Sequence, residues 1–219
     1  MKKISLWFYV ISVALFLTIY YLSCLTIDEG GKDKKSTNPV CGNFKCETGE
    51  AEKICPQDCK YKDNGNGTIT DNTTGLLWLK CSLGQSLTSE DCSGDAAAYK
   101  YCPTQDNTCN GGTTGGILDS GTLYDACNSL NSMSFGGKFN WRVPTNDELY
   151  TLVQTGLSWI IDPHYFPNTA KKGMEVVYWS SSSHESDAGL AWIVIFNGGY
   201  VGGDYKNNDK YVRCVASGL

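Results

Sequence analysis

From residue 61 onward, short apolar runs alternate with clusters of Gly, Asn, Asp, Ser and Thr, the pattern of strands punctuated by turns. Residues 63–67 (Asp-Asn-Gly-Asn-Gly) mark a turn, 68–70 a short strand, 71–75 a second turn and 76–79 a second strand. Residues 81–121 are rich in Gly, Ser, Thr and Cys and have little periodicity, so they read as a long loop region held by cross-links. Residues 122–130 carry apolar side chains at Leu123, Ala126, Cys127 and Leu130, the three-and-four spacing of one helix face. Thr145-Asn146-Asp147-Glu148 is a capping box: the Thr145 hydroxyl takes the Glu148 amide, the Glu148 carboxylate reaches back, and both acids suit a positive helix start. The helix it opens is expected to run to about Thr155, bury Leu149, Leu152 and Val153, and stop at Gly156.

The last third of the chain is β, with strands expected over 176–180, 191–196, 200–203 and 211–216. Residues 191–196 are apolar at almost every position, as in a central strand buried on both faces. Asn197-Gly198 is the strongest hairpin signal in the chain. The pattern as a whole predicts an α+β domain: two helices on a small, mainly antiparallel, twisted sheet.

The N-terminal pattern is different. Lys2 and Lys3 precede an uncharged, mostly apolar run of 19 residues from Ile4 to Leu22, followed by Ser23 and Cys24. One reading is an uncleaved membrane anchor. The other, preferred here, is a signal peptide over 1–23 with Cys24 as the lipidated residue of a lipoprotein. Tyr21-Leu22-Ser23-Cys24 resembles a lipobox, with Tyr where Leu is usual. Both readings put the rest of the chain outside the inner membrane, where disulfides persist. Residues 24–40 are polar and without periodicity, a flexible tether. Residues 41–60 are too few to bury a core, so Cys41, Cys46, Cys55 and Cys59 must cross-link the module among themselves. A zinc site is the rival; an oxidising location and the lack of a Cys-x-x-Cys pair argue against it. Glu47, Glu50 and Asp58 there are candidate calcium ligands, with solvated surface charge as the favoured reading. The main domain spans 61–219.

Charge excludes one class of partner. The 219-residue chain carries 18 basic and 23 acidic groups, net −5, and removal of 1–23 leaves 16 basic groups against the same 23 acidic ones. Nucleic acid is therefore not an expected partner, because reading phosphates needs a cationic footprint. The 11 cysteines divide into Cys24, four in the small module and six in the main domain, both sets even.

Four strings, in order, carry a resemblance to one family. They are Asp63-Asn64-Gly65-Asn66-Gly67-Thr68 with Thr74-Gly75-Leu76-Leu77-Trp78; Trp141-Arg142-Val143-Pro144-Thr145 with Glu148-Leu149; Tyr178-Trp179-Ser180-Ser181; and Val212-Arg213-Cys214-Val215. Over about residues 61–216 the chain resembles the Lcl C-terminal domain family, named for a collagen-like bacterial adhesin. The resemblance implies a fold related to C-type lectin-like domains and the formylglycine-generating enzyme group, disulfide-stapled and with long loops. It also implies a bond between a helix cysteine and one on the last strand, here Cys127–Cys214. The remaining four then pair most simply as neighbours, Cys81–Cys92 and Cys102–Cys109, although six cysteines allow 15 pairings. Cys214 as a disulfide partner leaves no reactive cysteine for formylglycine-type chemistry.

Candidate chemistry is sparse. The two histidines are His164 and His184. The serine run ending in His184, Glu185, Ser186 and Asp187 has triad residue types, but triads are assembled by the fold rather than by neighbours on one loop. No enzymatic activity is expected. Sugar binding suits the residues better, because aromatic faces take C–H surfaces and amides and carboxylates take hydroxyls. The candidate ligand residues are His184, Glu185, Tyr200, Asp204, Tyr205, Lys206 and Asn207. Neither Glu-Pro-Asn nor Gln-Pro-Asp occurs, which argues against the calcium-dependent sugar site of lectins. Trp78, Trp141, Trp179 and Trp192 are expected in the core, and Arg142 and Arg213 on carboxylates or carbonyls. The family's adhesin is associated with sulfated polysaccharides; only Lys206 with Lys210, or Lys171 with Lys172, offers a local cationic cluster for them. Asp63, Asn64, Asn66 and Asp71 place oxygens at alternating spacing in a Gly-rich loop, the candidate calcium ligands, with an Asn/Asp-stabilised turn as the competing reading. The functional expectation is a lipid-anchored cell-envelope binding or adhesion module for glycans or matrix and host proteins. The alternative is a structural envelope protein that engages other envelope proteins.

Overall fold

The computed structural model describes residues 56–89, 91–154, 161–169 and 176–218. The signal segment, Cys24, the tether, Cys41, Cys46, Glu47, Glu50, Cys55, Trp159, Lys171 and Lys172 lie outside the described residues. Among the described residues no helix is long and apolar enough to cross a membrane.

A one-turn helix α1 (Pro56–Cys59) leads into β1 (Tyr61–Asp63), β2 (Thr68–Asp71) and β3 (Leu77–Leu79). With β11 (Val215–Ala216) these form an antiparallel sheet in the order β1-β2-β3-β11. The larger sheet has five strands: β6 (Ala98–Lys100), β7 (Val177–Ser183), β8 (Leu190–Ile195), β9 (Tyr200–Tyr205) and β10 (Asp209–Tyr211). Their order is β6-β10-β7-β8-β9, with β10 and β7 parallel through Tyr211 and Tyr178. A two-stranded ribbon, β4 (Ser86–Leu87) and β5 (Cys92–Ser93), completes the strands. Helices α2 (Gly121–Tyr124), α3 (Asn128–Ser132) and α4 (Asn146–Tyr150) are short.

The domain is mixed α+β, but the expected single antiparallel sheet under two helices needs correction. The described β structure is split among three sheets and includes a parallel pair. The helix expected over 122–130 is broken, since Asp125–Cys127 tightens into a 3-10 turn between α2 and α3. Its polar side chains bond locally: Asn128 Nδ2 donates to Asp125 Oδ1 at 2.8 Å, and Ser132 Oγ donates to the Asn128 carbonyl at 3.2 Å. The capped helix also ends early. The Thr151 hydroxyl takes the Glu148 carbonyl at 2.6 Å, and the amides of Thr151, Leu152 and Val153 donate three residues back rather than four. The last expected strand is two strands in different sheets, because residues 212–214 turn inward between them. Val212, Arg213 and Cys214 are fully buried there. In the β8–β9 hairpin Ile195 pairs with Tyr200, and both Gly198 and Gly199 donate to the Ile195 carbonyl. The left-handed position is Gly199, at φ 68°, so the loop is longer than the two-residue turn that Asn-Gly predicts.

Period-two alternation explains the apolar runs. On β7 and β8, Val177, Trp179, Ala191 and Ile193 enter one core cluster, while Tyr178 and Val194 enter a second. On β3, Leu77 and Leu79 join the first and Trp78 the second. Strands that feed two cores cannot show a polar face, which is why 191–196 is apolar throughout. Two core tryptophans pair their N–H groups with backbone: Trp179 Nε1 donates to the Tyr99 carbonyl at 2.8 Å, and Trp141 Nε1 to the Phe135 carbonyl at 2.9 Å.

Three disulfides with both ends described staple this frame: Cys81–Cys92 across the ribbon, Cys102–Cys109 in the loop after β6, and Cys127–Cys214 from the 3-10 turn to the segment before β11. Cys59 is disulfide-bonded as well, to a cysteine outside the described residues. Such bonds are consistent with an oxidising, extracytoplasmic compartment.

The capping box is complete. Glu148 N donates to Thr145 Oγ1, Thr145 N donates to Glu148 Oε2, and Arg142 forks onto both Glu148 oxygens at 2.7 and 2.6 Å. Burial alone would raise the Glu148 carboxyl, but Arg142 and the Thr145 amide outweigh it and hold it below the usual range. Asp63 beside Lys80 and Asp204 beside Lys210 are lowered in the same way against the same burial. A depressed folded pKa gives stability that is complete above the unfolded carboxyl value, about 4, and is lost as pH falls through the folded value. Melting temperature should therefore drop as pH falls below about 4. Glu148→Gln should lower the neutral-pH melting temperature and flatten that acid slope, as thermal melts across pH would measure.

Candidate functional site

The β7–β8 connection is tied down by its own backbone. His184 N donates to the Leu190 carbonyl, Leu190 N to Asp187 O, and Gly189 N to Asp187 Oδ1 at 2.8 Å. From the neighbouring loop, Gly115 N donates to the His184 carbonyl. These bonds fix His184 and Glu185 above strand β8. There the His184 ring stacks on Trp192, with centroids 4.6 Å apart and planes at 30°. Trp192 Nε1 donates to both Glu185 oxygens, at 3.2 and 3.1 Å. Opposite Trp192 in the β8–β9 register lies Gly203, and the room left by its missing side chain is taken by the His184 ring and Leu190. Leu190 pairs with Tyr205, whose ring is 53% exposed. Trp192, His184, Glu185, Leu190 and Tyr205 thus form an aromatic–carboxylate platform on one face of the sheet.

Trp192 corrects one expectation. Trp78, Trp141 and Trp179 are buried, but Trp192 is only partly so. It shares its face with Val194, yet the second core ends short of it. The signal was in the sequence: carrying the hairpin register back from the Asn-Gly turn sets Trp192 against the Gly202-Gly203 pair.

The structure brings only part of the predicted ligand set together. His184, Glu185 and Tyr205 contribute to the platform. Tyr200 is exposed at the other end of β9, about 17 Å from Tyr205 by strand rise. Asp204 is engaged by Lys210 Nζ at 2.7 Å and by Asn208 and the Tyr205 amide. Asn207 accepts from Gln105 Nε2 at 2.8 Å. Lys206 is a correction: it is fully buried, with Nζ donating to the Asp106 carbonyl (2.8 Å), Asn107 Oδ1 (3.2 Å) and Asn110 Oδ1 (2.8 Å). Three donors meet three oxygens, so this ammonium braces the loop of the Cys102–Cys109 bond, and burial lowers its pKa. The proposed Lys206–Lys210 cationic cluster is therefore absent, one member being buried and the other neutralised.

The candidate calcium residues serve turns. Asp63 Oδ1 accepts from Gly65 N and Oδ2 pairs with Lys80 at 2.7 Å; Asn66 Oδ1 accepts from Thr68; Asn64 Nδ2 donates to Thr68 and Thr70. Asp71 Oδ1 caps the next turn through the amides of Thr73 and Thr74. In the β1–β2 register Asp63 lies opposite Ile69 and Asp71 opposite Tyr61, at different ends of the hairpin. Among the described residues no three His, Cys, Asp or Glu side chains are grouped for a metal. Asn64, Asn66, Thr68, Thr70 and Lys138 do line a groove of about 410 Å³, where their polar atoms are largely spent on one another and Lys138 Nζ donates to the Gly218 carbonyl. Arg142 meets Glu148, and Arg213 meets the carbonyls of Leu79 and Lys80.

A disulfide-stapled α+β domain is consistent with an extracytoplasmic location. The model of the Lcl C-terminal domain matches residues 67–216, and the chain belongs to that family. No curated protein and no solved structure matches the chain.

Proposed function

We propose that the chain is a lipid-anchored cell-envelope protein whose outer domain, C-type lectin-like in fold, binds glycans through the Trp192 platform. One observation carries the reading: a partly exposed tryptophan in a central strand, its indole N–H held by a surface carboxylate and its ring stacked by His184. Ring faces with adjacent carboxylates suit pyranose C–H surfaces and hydroxyls. Disulfides and family membership support an extracytoplasmic location, and Cys24 is the proposed lipid site. The module is read as non-enzymatic. Ser186 Oγ lies 3.3 Å from His184 Nδ1, but Glu185 is turned to the indole, so the three do not form a relay. On a glycan array the protein should be retained on specific sugars, and Trp192→Ala should weaken retention about tenfold or more. Silence across a broad array would overturn the reading.

The alternative, an envelope protein that engages other proteins without a small ligand, draws on the exposed apolar Phe139 (72%) and Met133 (65%). Cross-linking in intact cells, with Phe139→Ser as control, separates the two.

A further inference from the structure

Resting on the glycan reading above, we infer that the ligand of the Trp192 platform is an amino sugar carrying a free protonated amine, not a sulfated or uronate-rich glycan. Charge accounting around the platform leads there. Glu185 is exposed, and its one partner is Trp192 Nε1, leaving its outward lone pairs for a further donor. Asp187 follows it on the same turn, exposed.

No described cation pairs with Glu185, while Asp187 shares the field of Lys206. Lys210 is held by Asp204 at 2.7 Å. Lys206 is buried in its oxygen cage. Arg142 is forked onto Glu148. An anionic glycan arriving here would meet the Glu185 carboxylate, which has no ion pair among the described residues, on an acidic chain, whereas an ammonium would meet that carboxylate beside the electron-rich faces of Trp192 and Tyr205. The amine pairs with Glu185 while the C–H face of the same ring lies against the aromatics. An N-acetylated sugar keeps the second contact and loses the first.

The test compares four probes on the full-length protein by calorimetry in mildly acidic buffer, where the glucosamine amine is protonated: a β-1,4-glucosamine hexamer, its fully N-acetylated counterpart, a heparin hexamer and a lysine hexamer. The expected result is that the glucosamine hexamer binds at least tenfold tighter than the other three and weakens as salt is raised. Glu185→Gln keeps an acceptor oxygen for the indole and removes only the charge, so it should bring the glucosamine hexamer down to the acetylated level. Trp192→Ala should remove both. Equal binding of the acetylated hexamer, or preference for heparin, overturns the amine requirement and leaves the glycan reading standing. Equal binding of the lysine hexamer overturns the amino sugar in favour of general charge attraction. No binding of any sugar, in a protein whose melting curve is intact, overturns both.

Discussion

Replacing Cys127 and Cys214 with serine is expected to cost about 2–5 kcal/mol of stability. The bond closes 87 residues of chain, the longest described bridge, and chain-entropy scaling puts a loop of that length near the top of the range, about 4–5 kcal/mol. It also joins the 3-10 turn between α2 and α3 to the segment entering β11, so it crosses from helical layer to sheet. Both cysteines are fully buried, and the serine hydroxyls would be stranded in the first core cluster. Cys102–Cys109, which closes only 7 residues, should matter less. Chemical denaturation of the two double-serine variants gives the comparison. A loss from Cys127/Cys214 no larger than from Cys102/Cys109 would contradict the account.

Arg213→Ala should cost roughly 3–5 kcal/mol, a comparable loss by a different cause. The guanidinium is fully buried and has no carboxylate partner among the described residues. Its charge is carried by the carbonyls of Leu79 and Lys80, by Ser82 and Thr169 hydroxyls, and by the rings of Phe166 and Tyr178, at 5.0 and 5.8 Å. Burial pulls its pKa down and Tyr178 pulls it back up. Truncation empties a large buried volume and removes the Arg213 donors from two carbonyls. Arg213→Lys should recover only part of the loss, because a single ammonium cannot reproduce the planar fork. If the alanine variant melted like the parent, the bracing role assigned to Arg213 would be wrong.

Much of the frame is legible in local chemistry. The Thr145–Glu148 box announces a helix start because both its bonds are short-range. The apolar run before Asn197-Gly198 announces a strand buried on both sides. What lies beyond the sequence depends on long-range pairing. Nothing in Tyr211 to Ala216 signals that the chain leaves one sheet and joins another; that break follows from Arg213 reaching the carbonyls of a strand 133 and 134 residues earlier. The short strands β4, β5 and β6 are equally hidden, since Ser86, Ser93 and Lys100 have little strand preference and are held by register and disulfide. At the site, His184 and Glu185 stand out by residue type alone. Lys206 misleads for the opposite reason: a lysine beside Tyr, Asn and Asp reads as surface until the loop of residues 102–110 folds over it. Trp192 hides among core residues, and only the register against Gly203 distinguishes it.

The most direct test follows the tryptophan indole N–H signals of nitrogen-15-labelled protein during titration with the glucosamine hexamer and, in parallel, its acetylated counterpart. With the sugar that binds, the Trp192 signal should move progressively to saturation while those of Trp78, Trp141 and Trp179 stay in place. Saturable sugar binding with Trp192 unmoved would put the binding surface elsewhere and contradict the role given to the platform.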